Sequence, residues 1–327
     1  MKASMLSLTA AKFQFTLIAR EPMSLPFYKG STLRGAFGGV FRQIICSQRH
    51  LDSCCSCLLK NSCPYRMVFE PGPAEQAELW GDRNQIPRPF VLEPPETPQT
   101  CYKPGEQFEF NLILVGKAID YLPYFILAFK ELGAIGIGKG RAKFELQRVT
   151  TLPLSGEAGA IVFDGERVYD RVSLISEPLA ENPVPAGEGN LTISFQTMTR
   201  LKYNGNLTET PDFPVFLRAI LRRVSALQYF YCQKRLELDF QAMLERAGTV
   251  RLVRNETRWV DWERYSSRQD ARIAMGGLIG EAEYQGPWRE FEELLRWGEI
   301  LHVGKGCTFG LGKYGMKTTI YTTPNKN

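Results

Sequence analysis

The sequence predicts an α+β protein made of tandem ferredoxin-like domains, each an antiparallel sheet carrying two helices. Three observations lead there. Apolar residues alternate at Phe13, Phe15, Leu17 and Ala19, at Phe108, Phe110, Leu112 and Leu114, and at Leu191, Ile193 and Phe195, which is the period of half-buried strands. Apolar residues at helical spacing follow each of these segments. A helix, a glycine-rich loop and a strand occur in that order twice, around Leu132–Phe144 and around Leu301–Gly315, which suggests an internal duplication.

The first domain is expected over residues 1–150. After the strand Lys12–Ala19, Leu33, Phe37, Phe41, Ile44 and Ile45 mark a helix that Ser31 or Thr32 can cap. Lys29 and Arg34 put cations beside the free N–H groups of its first turn, a seat for phosphate, although a solvated helix end explains them equally well. Directly after the helix, in an insertion at 46–63, Cys46, Cys54, Cys57 and Cys63 give C-x7-C-x2-C-x5-C. That spacing suits a closed tetrahedral thiolate site for a structural zinc, with His50 or Cys55 able to replace one ligand; an iron–sulfur cluster uses the same four thiolates. Free buried cysteines are the alternative. Eight prolines between Pro71 and Pro104 mark a surface loop, with one more strand expected between Met67 and Thr100. A strand at Phe108–Leu114, a helix at Tyr124–Leu132, a glycine loop bearing Lys139 and Arg141, and a strand at Lys143–Val149 complete the domain.

Residues 151–190 are short, mixed and rich in Pro and Gly toward their end, and read as a linker. The second domain is expected over 191–327. It opens with the strand at Leu191–Met198 and a long amphipathic helix running from Phe213 to Tyr231. Arg251–Arg272 holds six arginines, Arg258, Arg264 and Arg268 among them, against four acids (Glu256, Asp261, Glu263 and Asp270), with Trp259, Trp262 and Tyr265 between them. Cations that hold a backbone and rings that stack on bases suit single-stranded RNA, and a hairpin with a salted outer face would look similar. A Trp288–Trp297 helix then leads into the loop 304–315, where Gly304, Gly306, Gly310, Gly312 and Gly315 surround Lys305 and Lys313. Glycines allow successive N–H groups to form an anion-binding concavity, and the two lysines add positive charge. The helix-to-strand order argues against dinucleotide and triphosphate loops, which run strand to helix.

Composition sets the bounds. The chain has 327 residues, 44% hydrophobic and 23% charged, with a net charge of +5, so any phosphate-binding surface must be a local patch. No apolar run reaches membrane-spanning length and no signal-peptide pattern stands at the N-terminus, which makes a cytoplasmic protein without membrane contact the expectation. Monomer and dimer both remain open.

The stretches Lys29–Gly38, the cysteine cluster, Gly276–Gly280 and His302–Tyr314 together resemble the RAMP-type CRISPR-associated endoribonucleases that cut precursor CRISPR RNA at its repeats. The resemblance spans nearly the whole chain. It implies tandem RRM-like domains that bind repeat RNA. It also implies metal-independent cleavage, in which a ribose 2′-hydroxyl attacks the phosphate to leave a cyclic phosphate and a 5′-hydroxyl. Members of the family place a histidine around the first helix, often with tyrosine and lysine nearby; here Tyr28, Lys29 and Arg34 occupy that approach and no histidine does. With only His50 and His302 in the chain, His302 is the expected acid/base, beside the glycine-rich loop. A non-catalytic RAMP subunit that binds guide RNA in a CRISPR effector complex is the alternative.

Overall fold

The structure is a computed structural model that describes residues 6–51, 54–71, 86–178, 189–266 and 270–320. The chain divides into two compact units, Ser7–Glu177 with Ala226–Lys234, and Pro178–Ser225 with Leu6 and the described residues from Arg235 onward. Each is a ferredoxin-like αβ unit.

In the first unit, β1 (Ala10–Ala19) leads to α1 (Gly30–Ile45) and the short α2 (Pro64–Val68). These are followed by β2 (Phe90–Glu93), β3 (Gln107–Val115), α3 (Leu122–Ile135), β4 (Phe144–Thr151) and β5 (Ile161–Phe163). The antiparallel sheet has the order β2-β3-β1-β4-β5. Register follows from the alternation: Phe13 pairs with Leu112 and Phe15 with Phe110, so the apolar sides of β1 and β3 share one face. Phe37 of α1 stacks there on Phe125 and Phe129 of α3, with ring centroids 4.7 and 5.4 Å apart. The strand expected between Met67 and Thr100 is β2.

Two local expectations change. Lys29 occupies the N-cap of α1 with no side-chain cap bond, so Ser31 and Thr32 lie inside the first turn instead of capping it. Residues 151–178, expected as linker, carry β5 and a bridge from Ile175 to Ala10, and so extend the first sheet. Residues 179–188 of that segment, and 72–85 of the proline-rich loop, lie outside the described residues.

In the second unit, β6 (Gly189–Thr199) precedes α4 (Phe213–Cys232), whose residues from Ala226 on are grouped with the first unit, and α5 (Phe240–Ala247). Four strands come next: β7 (Arg251–Asn255), β8 (Arg258–Val260), β9 (Glu263–Ser266) and β10 (Ala271–Ala274). They lead to β11 (Gly277–Gln285), α6 (Glu292–Leu301) and β12 (Tyr314–Ile320). The sheet order β7-β11-β6-β12 repeats the connectivity of the first unit's β2-β3-β1-β4, while β9 and β10 form a separate hairpin. Phe195, Phe216 and Tyr314 meet in the core, with Phe216 at 5.5 Å from Phe195 and 5.0 Å from Tyr314. Among the described residues no helix is long and apolar enough to cross a membrane.

Candidate nucleic-acid interface

The connection from α6 to β12 is folded tightly against the end of β6. Its glycines answer to that packing. Gly304 (φ +82°) and Gly312 (φ +76°) sit in the left-handed region, and a Cβ added there would lie 2.4 Å from the Arg200 carbonyl oxygen and 1.8 Å from the Val303 carbonyl oxygen. Five of the loop's amides are spent inside the fold. Lys305 donates to Arg200 O at 3.2 Å, Gly312 to Met198 O at 3.2 Å, and Lys313 to Thr197 Oγ1 at 2.9 Å. Phe309 and Gly310 donate to Gly306 O and Cys307 O within the loop. The expected anion-binding concavity is corrected on this point: an N–H already bonded to a carbonyl is not offered to phosphate. Along this loop Lys305 is exposed and Gly304, Gly306, Lys313 and Gly315 are half-buried, while residues 307–312 are buried.

His302 is corrected as well. It is 1% exposed, lies between the fully buried Leu301 and Val303, and has its Nδ1 3.1 Å from Leu311 O. Its φ of +62° makes it the turn residue that ends α6. A ring packed on all sides cannot reach a ribose hydroxyl, and the geometry supports a structural histidine.

Beside this loop stand cations that the periodicity did not flag as a group. Arg264 of β9 places its guanidinium 4.8 Å over the Phe309 ring. Arg200 donates to Ala274 O at 2.8 Å and to Met275 Sδ at 3.6 Å. Burial lowers the pKa of both arginines, and the Nε of each is buried without a hydrogen-bond partner among the described residues. Arg258 is exposed on β8 next to a half-buried Trp259, whose Nε1 donates to Asp261 at 3.0 Å. Arg200 was not singled out from the sequence, because only the fold brings it under Gly304. Arg268 lies outside the described residues.

In the first unit, the approach to α1 gathers three candidates. Tyr28 is half-buried. Lys29 is 1% exposed, and its Nζ donates to Phe27 O and Thr97 O, both at 3.1 Å. Burial lowers its pKa below the ordinary 10.5. Arg34 lies 4.2 Å over the Phe69 ring. The earlier glycine loop is a tight turn from α3 to β4, closed by the Ile137–Ala142 bridge, with Lys139 and Arg141 exposed at its tip.

Cys46, Cys54, Cys57 and Cys63 line one cleft together with Arg42, Lys60 and Arg66. All four are free thiols. Cys54 donates to Glu70 Oε2 at 3.6 Å, and its pKa is pushed up to about 11, first by burial and then by Glu70, Cys63 and Cys46. Among the described residues no three His, Cys, Asp or Glu side chains gather closely enough to hold a metal ion.

Two family models match the sequence. Residues 8–175 match AF_1859_N, an N-terminal domain, and residues 193–314 match the CRISPR-associated endoribonuclease Cas6. No curated protein matches the chain. Among solved structures, the product complex of a Cas6 is 17% identical, with 94% of this chain and 100% of that chain covered and a TM-score of 0.54. Cas6 of Thermus thermophilus is 13% identical over 95% and 99% of the two chains, with a TM-score of 0.52. A partial Cas6-RT-Cas1–Cas2 complex is 13% identical over 97% of this chain and 47% of that one, with a TM-score of 0.56. At such identities the likeness is one of fold.

Proposed function

We propose that this chain, a member of the Cas6 family of CRISPR-associated endoribonucleases, cuts precursor CRISPR RNA within its repeats by 2′-hydroxyl attack. The ribose oxygen bonds to the adjacent phosphorus as its proton passes to a base. The 5′-oxygen leaves with a proton from an acid, giving a cyclic phosphate and a 5′-hydroxyl. Nothing in that sequence of steps requires a metal, provided cations offset the charge of the phosphorane.

The observation that carries this reading is that the segment matched to the endoribonuclease family, 193–314, is the one that builds the basic and aromatic surface of the second unit. Lys305, Lys313, Arg258 and Arg264 neutralise RNA phosphates there, and Trp259 offers a face for stacking. In the first unit, Lys139 and Arg141 add two exposed cations at a turn tip. With His302 enclosed, proton transfer falls to the approach of α1. Tyr28 supplies the hydroxyl, and Arg34 a cation. Lys29 acts as a positioning residue, since its ammonium ties the segment carrying Tyr28 to the carbonyl of Thr97.

The test is a labelled repeat RNA incubated with the protein, with and without chelator. Cutting in chelator is expected, together with a block by a single 2′-deoxy substitution before the scissile phosphate. Tyr28→Phe should lower the rate by about 10²-fold or more while leaving affinity intact. Unchanged cutting by Tyr28→Phe would refute the assignment of Tyr28, and loss of cutting in chelator would refute the metal-free route. Tight binding without any product would leave a guide-RNA-binding subunit instead.

A further inference from the structure

We propose that Cys46, Cys54, Cys57 and Cys63 bind one zinc ion that staples the end of α1 to the start of α2. The placement of the four thiols is the first argument. Cys46 follows the last residue of α1, and its N–H bonds back to Arg42 O. Cys63 precedes Pro64 at the start of α2 and accepts the Met67 N–H. Cys54 and Cys57 flank one tight turn, closed by the Cys57 N–H on Cys54 O at 3.3 Å. Two helix ends and one turn thus present four sulfurs to a single cleft, none of them in a disulfide.

The second argument is what this segment lacks. Between Cys46 and Cys63 no described residue is buried; Leu58 is fully exposed and Leu59 is 47% exposed. A stretch that cannot bury apolar surface needs a cross-link to hold one conformation. Four soft thiolates with no open position make a closed tetrahedral site of the structural kind. Charge agrees. A zinc ion with four thiolates carries two net negative charges, and Arg42, Lys60 and Arg66 line the same cleft. Since no three ligands already converge, binding includes an inward movement of the exposed turn around Cys57 toward Cys54 and Cys63, which pack against the core of the first unit. The protons lost by the thiols leave to solvent.

The full chain, purified after growth with zinc, is tested by elemental analysis, with no RNA involved, so the outcome is independent of the cleavage reading. About one zinc per chain is expected, with no visible iron–sulfur absorbance. Cobalt loading should give the intense thiolate charge-transfer bands of a tetrahedral sulfur site. Cys57→Ser should lose that signal, and Cys101→Ser, at an exposed cysteine outside the cleft, should retain it. To separate loss of metal from misfolding of Cys57→Ser, the wild type is also stripped with chelator. Proteolysis should then quicken between residues 46 and 63, and added zinc should restore protection. Absence of zinc after loading, iron with visible absorbance, disulfides among the four cysteines under anaerobic preparation, or an unaltered digestion pattern would each overturn the proposal.

Discussion

Three glycines on α1 should respond to alanine in opposite directions. Gly35 and Gly39 have nothing within 4 Å of an added Cβ, whereas at Gly38 the Cβ would lie 2.1 Å from Phe69 Cζ and 2.8 Å from both Cε atoms. Alanine in an exposed helix interior is favoured over glycine by about 0.8–1.0 kcal/mol. Gly35→Ala and Gly39→Ala should therefore each stabilise by about 1 kcal/mol, raising the melting temperature by about 2–4 °C for a unit of this size. Gly38→Ala makes the same helical gain but must displace a ring that stacks on Tyr65 at 5.5 Å and on Phe90 at 6.0 Å and carries Arg34 on its face. Overpacking of that kind costs about 1–3 kcal/mol, so the net change is neutral to destabilising by about 2 kcal/mol. Thermal unfolding of the three variants decides it. A Gly38→Ala protein as stable as Gly35→Ala, or a Gly35→Ala protein less stable than the wild type, would refute the packing described for α1.

His302→Ala should keep repeat-RNA cleavage within a few-fold of the wild type while losing about 2 kcal/mol in urea unfolding, as for other buried truncations; abolished cleavage in a fully folded variant would return the histidine to catalysis. Gly312→Ala should destabilise by more than about 2 kcal/mol, because it combines a left-handed φ with a backbone clash and strains the Gly312–Met198 bond; a melting temperature unchanged from the wild type would contradict that. Lys29 gives a pH signature. Burial lowers its folded-state pKa below 10.5, so between the two values the unfolded chain holds more protons and stability rises with pH. Relative to Lys29→Met, the wild type should gain stability as pH rises toward 10.5, and a difference in urea midpoints that stays flat or shrinks would exclude a desolvated ammonium.

Much of the fold was legible because strands and helices leave a local period. Phe13, Phe15 and Leu17 on alternate positions, and Leu33, Phe37 and Phe41 at helical spacing, determined the first strand and helix without reference to any neighbour. The two helix–glycine–strand units determined the duplication, and the cysteine spacing marked one cluster. What the period does not carry is the partner of each polar group. The amides of Lys305 and Gly312 find their acceptors at Arg200 and Met198, more than a hundred residues earlier, and the ammonium of Lys29 finds Thr97 in a loop with no pattern of its own. His302 looked available beside a glycine loop, and only the folded chain encloses it, with its Nδ1 on Leu311 O of that loop. A hydrogen bond has one direction and a range of about 3 Å, so chain separation says nothing about it; the tertiary fold decides which donors remain for RNA and which are already used.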